Sequence, residues 1–257
     1  MKKNRSSIKS RTRSSLNKFF VEGRHETGDV VTLDGSDAHK VVNVLRMGGG
    51  DTIEVIDSAA QHFKASLRID GRSVHAELET SVERTASTLP RVTIAQGVPK
   101  GQKMDFVVEK LTELGAAAIV PLQSERTIVS DVSPNKIERW RRLAKSAAQQ
   151  CGRSDIPEVA DPLTFEKMLA LFKDYDCVLV PWELAERVPL RERLPDLIAN
   201  AHDVLVLIGP EGGFSHAEAE AAKEAGAQLV SLGSRILRTE TAGLVVLAII
   251  GYISGDA

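Results

Sequence analysis

The sequence predicts an α/β protein in two parts: a small β-barrel-like domain, then a larger domain built on a mostly parallel sheet. Three observations point there. Before residue 82, short β-rich runs are separated by turn signals, among them Asp70-Gly71 between two alternating segments, a strong hairpin cue. After residue 91, strand and helix patterns alternate, which is the grammar of a parallel sheet with crossover helices. Two of the later strands, 177–181 and 204–209, are continuous apolar runs, as expected where both faces of a sheet are covered.

The elements follow in order. Residues 1–17 carry no periodicity and are expected to form a disordered basic tail. Strands are expected at 18–22, 30–33, 52–56, 62–69 and 74–79, interrupted by one helix that Ser36 can cap, with Val41, Val44 and Leu45 on its apolar face. The first domain thus spans 18–82, and the polar stretch 81–90, ending in Pro90, reads as a linker. The second domain, 91–257, opens with a strand at 92–96. A helix at 103–114 follows, with Val107, Val108, Leu111 and Leu114 on one side, then a strand at 117–122 and a helix at 134–150. Past the two apolar strands, Ser215 and Glu218 form a capping-box pattern at the start of a helix. A strand at 228–232 and a nearly all-apolar helix at 239–253 complete the chain, and that helix must be buried against the sheet or a partner chain.

Composition excludes several classes. Forty-two per cent hydrophobic residues among 257 leave ample material for a soluble core, and the longest apolar run, 242–250, is half a membrane span. No membrane segment or secretory signal is visible, so a cytoplasmic location is expected. The two cysteines, Cys151 and Cys177, form no CxxC pair, so neither a metal site nor a disulfide framework is expected. Aromatics make up only 4%, too few for extended base stacking. The first 18 residues hold seven cations and no carboxylate, so a net charge of −2 for the whole chain places −9 on the rest. A basic arm on an acidic body fits phosphate attraction, a solvated tail, or, being Ser- and Arg-rich, a transit peptide.

Three segments carry chemistry. An apolar strand runs into Gly209-Pro210-Glu211-Gly212-Gly213, directly before the capped helix. Ligands in open α/β sheets bind at the carboxyl ends of strands, where glycines admit close approach, although a tight ligand-free connection reads the same way. It is neither the GxGxxG fingerprint nor a Walker loop. The segment from Leu232 to Gly243 places Arg235 and Arg238 in a loop before the last helix, where Thr239 or Thr241 can cap. Those arginines call for an anionic partner, either Glu240 or an RNA phosphate. Third, Lys100 and Lys103 follow a strand and Arg126 sits at the carboxyl end of the next, positions that suit phosphates or a sheet-end site, or plain solvation. Lys136, Arg139, Arg141, Arg142, Lys145 and Arg153 surround the 134–150 helix, as a phosphate-tracking surface or a solvated face.

Taken together and in this order, the segments resemble the RsmE-type 16S ribosomal RNA uridine-N3 methyltransferases of the SPOUT superfamily. The resemblance rests on Lys100-Gly-Gln-Lys-Met-Asp with Thr112-Glu-Leu-Gly, on Ser124-Glu-Arg, and on Ala148-Gln-Gln-Cys-Gly-Arg. It rests further on Ile208-Gly-Pro-Glu-Gly-Gly and Leu232-Gly-Ser-Arg-Ile-Leu-Arg-Thr-Glu-Thr-Ala, and extends N-terminally through Phe19-Phe and His39-Lys-Val-Val-Asn-Val-Leu-Arg. It covers about residues 18–254.

The resemblance implies a PUA-like RNA-binding first domain and a SPOUT-type catalytic domain with a trefoil knot, an exception to the rule against knots. It implies S-adenosylmethionine as cofactor, small-subunit (16S) ribosomal RNA as partner, and a homodimer, with no metal. The cofactor pocket would be lined by Pro181, Trp182 and Glu183, by Ile208, Gly209, Pro210, Glu211, Gly212 and Gly213, and by Leu232, Gly233, Ile236, Leu237, Arg238, Thr239 and Thr241. RNA would meet Lys18, Arg46, Lys100, Lys103, Arg126 and Arg153. Lys18 stands where the family has arginine, which keeps the charge but loses the bidentate fork. For chemistry at N3, Arg126 and Arg238 would stabilise charge on the base, and Glu211, Glu240 or solvent would take the proton. Another SPOUT enzyme acting on a different RNA or on ribose 2′-OH, and a noncatalytic assembly factor, share most of these features.

Overall fold

The structure, a computed structural model, describes residues 16–71, 73–83, 89–128, 132–185 and 190–255. The basic arm at 1–15 and the middle of the expected linker, 84–88, lie outside the described residues. The chain divides into two compact units, one up to Glu83 and one from residue 84 onward.

The first unit contains β1 (Lys18–Phe20), β2 (Val30–Thr32), α1 (Gly35–His39), β3 (Thr52–Ile56), β4 (His62–Asp70) and β5 (Ser73–Val82). The strands pair in the order β1-β3-β4-β5-β2, all antiparallel except β1 on β3. The expected hairpin is β4–β5, closed between Asp70 and Ser73, with Gly71 at φ +62° in its turn. The sheet curls round one apolar core that includes Phe19, Ile53, Val55, Phe63 and Leu78. Among the described residues its edges, β1 and β2, do not pair to close a barrel.

Two details of the helix differ from the sequence reading. The cap is Asp34, whose Oδ1 accepts from the Asp37 amide at 2.7 Å, while Ser36 Oγ donates to the same oxygen. Val41 is buried and Leu45 partly so, but Val44 is exposed. Residues 40–44 widen into a π turn, which shifts later side chains out of the 3.6-residue phase.

The second unit runs β6 (Arg91–Gly97), α2 (Lys103–Glu113), β7 (Ala118–Gln123), α3 (Pro134–Cys151), β8 (Glu158–Val159), β9 (Leu163–Thr164), α4 (Phe165–Leu169), β10 (Cys177–Pro181), α5 (Leu190–Ile198), β11 (Asp203–Ile208), α6 (His216–Glu224), β12 (Gln228–Val230) and α7 (Thr239–Ser254). Its strands are parallel throughout, in the order β12-β10-β11-β6-β7-β8, with β9 also on β7. Strand alternation splits the core in two. Val204, Val206 and Ile208 face one side with apolar residues of α2, α3, α5 and α7; Leu205 and Leu207 face the other with those of α4 and α6.

On α7, Gly243, Val246, Leu247 and Ile250 are buried, whereas Ala248 and Tyr252 are exposed. Among the described residues no helix is long and apolar enough to cross a membrane.

Candidate active site

Strand order reverses between β6 and β11: the chain passes from β6 to β7 on one side, yet β11 lies against β6 on the other. Such a switch point opens a crevice at the carboxyl ends of the strands. Here the cleft has a volume of about 490 Å³ and is lined by three loops and the start of α2. Pro181 and Glu183 come from the end of β10, and Ile208, Gly209, Pro210, Glu211, Gly212, Gly213 and Phe214 from the end of β11. Ile236, Leu237, Arg238, Thr239, Glu240 and Ala242 come from the entry to α7, and Lys103 from α2.

Close packing shapes the β11 loop. The Gly213 amide donates back to Pro210 O at 2.9 Å, and a Cβ on Gly209 would stand 3.1 Å from Gly213. Gly97, at the end of β6, is tighter still: a Cβ there would sit 2.4 Å from Pro210 N and 2.7 Å from Gly209 C. Behind the loop the capping box forms as its sequence pattern suggests, with Ser215 Oγ accepting from the Glu218 amide and Glu218 Oε2 from the Ser215 amide. The other oxygen of this buried carboxylate accepts from the Glu125 amide at 2.8 Å, which docks the 124–127 turn. The neighbouring Arg126 then lays its stem on Gly212 and donates from Nη1 to Gly212 O at 2.9 Å.

The α7 loop is held differently from the capping expected of Thr239 or Thr241. The N-cap position is Arg238, without a side-chain cap bond. Thr239 Oγ1 donates to Gly209 O at 2.6 Å and accepts from Gln96 Nε2 at 2.8 Å, so the β6, β11 and α7 ends are joined through one hydroxyl. Thr241 is exposed and outside the cleft lining.

Charge concentrates at one point. Lys103 Nζ lies 3.5 Å from Glu211 Oε1 and 3.4 Å from Glu240 Oε1, and Glu211 Oε1 also accepts from the Lys100 amide at 3.0 Å. Burial alone pushes the Glu211 carboxyl up. The Lys100 amide, its own amide and the Lys103 ammonium outweigh that and hold it below the ordinary carboxylate range. Arg238 is 82% exposed, with Nη1 3.9 Å from Glu240 Oε1.

Several expected site residues stand elsewhere. Trp182 is buried against the His216 ring, centroids 4.9 Å apart, with its amide on Val230 O; it supports the β10 loop from behind. Leu232 and Gly233 lie before the part of the α7 loop that reaches the cleft. The Lys100 side chain is exposed. Arg153 is committed to the fold: its Nη1 donates to Thr112 O and Ala116 O at the end of α2, and its Nη2 pairs with Asp155. Two of the α3 cations are paired at the surface, Arg139 with Asp105 and Arg141 with Glu138 and Asp161. In the first unit Lys18 is buried in register with Glu54, itself paired with the buried His62, whereas Arg46 is exposed at φ +56°. Among the described residues no cluster of His, Cys, Asp and Glu could hold a metal ion.

Sequence reasoning missed Gln96, Gly97 and the second bond of Glu218. A lone glutamine inside an apolar strand, followed by glycine, was the available signal for the first two. The partner of Glu218 is 93 residues away and left none.

A family model described as an RNA methyltransferase domain matches residues 86–251. A ribosomal RNA small subunit methyltransferase E from Bacillus subtilis is 33% identical over 249 residues, covering 92% of this chain and 96% of that one. One from Synechocystis is 38% identical over 224 residues, covering 85% and 71%. The crystal structure of a ribosomal RNA small subunit methyltransferase E from Neisseria gonorrhoeae bound to S-adenosyl methionine superposes with a TM-score of 0.81 at 28% identity, covering 93% and 98%. With a family model spanning well over half the chain and relatives matched along nearly its full length, the chain belongs to the RNA methyltransferase family, in its RsmE-type branch.

Proposed function

We propose that this protein binds S-adenosylmethionine in the cleft at the ends of β10 and β11 and methylates N3 of a uridine in small-subunit (16S) ribosomal RNA. The observation that carries the reading is the cleft itself, assembled from the β10, β11 and α7 loops in a chain whose relatives are small-subunit ribosomal RNA methyltransferases.

The residues present fit the cofactor. The β11 loop offers side-chain-free backbone at Gly209, Gly212 and Gly213, and Pro181, Ile208, Leu237 and Ala242 add apolar walls. Three carboxylates, Glu183, Glu211 and Glu240, against two cations, Lys103 and Arg238, leave a net negative lining that suits a sulfonium cation. Bound there, the cofactor supplies an electrophilic methyl group.

The rest falls to the chain. N3 of uridine lies on the Watson–Crick edge and carries a proton at neutral pH, so the base must be unpaired and its proton passed to Glu240 or to solvent. Arg126, held against Gly212, and Arg238, mostly in solvent, are the arginines assigned to the charge that develops on O2 and O4. Glu211, already engaged by the Lys100 amide and Lys103 and held below its usual proton affinity, serves as a loop anchor better than as a base. Lys100 and Arg46 are the exposed cations assigned to RNA phosphates, with the PUA-like first unit helping to hold the RNA.

The catalytic unit is read as knotted and the protein as a homodimer through α7. That helix carries no charged residue from Thr241 to Ser254, so its solvent side at Val245, Ala248 and Tyr252 is apolar.

The test is methyl transfer from labelled S-adenosylmethionine to small subunits taken from cells lacking the corresponding methyltransferase. Label in the RNA, reduced at least 100-fold in Arg238→Ala at saturating cofactor, is expected. Cofactor binding without transfer to any RNA would leave a noncatalytic factor.

A further inference from the structure

We propose that Lys103 is a positioning residue of the cofactor cleft: its ammonium ties the carboxylate of the β11 loop to that of the α7 entry, and it does not contact RNA phosphate. The inference rests on the reading of the cleft as the S-adenosylmethionine site.

Two carboxylates from segments 29 residues apart, Glu211 and Glu240, lie within 3.5 Å of the same nitrogen. Nζ also reaches Glu240 Oε2 at 3.5 Å, so it sits across the carboxylate rather than at one corner. Without a cation between them the two anions repel, and they are carried by the two loops that must meet to enclose a ligand.

The place of Lys103 is locally unfavourable, which is the second argument. It is the first residue of α2, where the helix dipole presents positive potential and favours acids such as Asp105. A cation in that position conflicts with the helix it begins, and the pair of carboxylates resolves the conflict. The other nearby cation, Arg238, lies 3.9 Å from Glu240 and is largely in solvent, so it cannot substitute for the bridge and stays available to RNA. Glu240 is only 15% exposed and Lys103 39%, so water screens the pairing from the lysine side alone.

The experiment is calorimetric titration of S-adenosylmethionine into the full chain, wild type and variants, with a parallel salt series of binding to protein-free small-subunit RNA. Lys103→Met should weaken the cofactor about tenfold and leave the salt slope of RNA binding unchanged. Lys103→Arg should recover most of the loss. Lys103→Met with Glu240→Gln should recover part of it, because the repulsion is then gone. That rescue separates a bridge from a general loss of fold, which the second substitution would not repair. Unchanged cofactor affinity in Lys103→Met, with the slope of log K against log salt reduced by roughly 0.7–0.9, would make Lys103 a phosphate contact and overturn the proposal. A wild-type chain that binds no S-adenosylmethionine overturns the functional reading and this proposal together, and is distinguished by failing before any substitution.

Discussion

At Gly97 the absence of one methyl group decides the shape of the cleft. A Cβ there would overlap Pro210 N at 2.4 Å, and both neighbours are backbone that cannot swing aside. Gly97→Ala should therefore displace the β11 loop, cost about 1–3 kcal/mol of stability and weaken S-adenosylmethionine at least tenfold by calorimetry. Wild-type affinity would mean the loop has slack that its contacts do not suggest. Glu211 gives a pH signature. Its folded-state proton affinity is lowered, so its contribution is complete above the ordinary carboxylate value of about 4.3 and is lost as pH falls through the lower folded value. The stability this group contributes, followed by denaturant unfolding, should be flat from neutral pH to about 5 and decline only below that. A decline starting between about pH 6 and 7 would point to a different titrating group, since that is the histidine range. Arg153→Ala should cost about 1–3 kcal/mol by stranding two carbonyls at the end of α2, while the salt slope of RNA binding stays put; a reduced slope would return Arg153 to the RNA surface. The arginine illustrates what a sequence leaves open. Its charge is visible in the chain, but whether that charge faces solvent or the carbonyls of Thr112 and Ala116 is set by a helix end some 40 residues away.

The element that organises the site is the N-terminus of α6. Its capping box spends one Glu218 oxygen on its own helix and the other on the Glu125 amide, so the helix start fixes both the β11 loop and the turn carrying Arg126. Glu218→Ala should lower kcat more than Ser215→Ala does, since the serine loses only a cap of about 1 kcal/mol whereas the glutamate also releases the turn. Equal effects in steady-state kinetics would reduce Glu218 to a capping role. The strands and helices that hold this arrangement were legible because each carries its own period: β10 matches its apolar run and α2 its Val107, Val108 and Leu111, whereas Leu114, expected on the same side, lies past the helix end and is exposed. Elements without such a signal were not. Strands β8 and β9 have two residues each, and α5 contains Pro195, which reads as a breaker although Leu190, Leu194 and Ile198 share one buried stripe. The π turn after α1 shows the converse, a local change of pitch that put Val44 in solvent where a regular helix would bury it.

Over the whole molecule, α7 has two faces. One side packs on the sheet beneath the cleft through Gly243, Val246, Leu247 and Ile250, and the other presents an uncharged apolar surface. If a second copy covers that surface, sedimentation should give the mass of two chains, and Ala248→Arg should shift it to one; a wild-type monomer at micromolar concentration would remove the dimer from the account. The family and the three loops that line the cleft could be read from the linear order of their motifs, because each loop's composition is its own signature. Their meeting in one pocket was implied by the resemblance alone; composition and periodicity did not carry it, because it depends on which strands lie side by side. The reaction is read most directly from the identity of the modified nucleoside. Small subunits lacking the modification are treated with the protein and S-adenosylmethionine, and their RNA is digested and analysed by mass spectrometry. The account predicts N3-methyluridine as the single new nucleoside, absent when Arg238 is replaced by alanine. A methyl group on a ribose oxygen or on another base would contradict it.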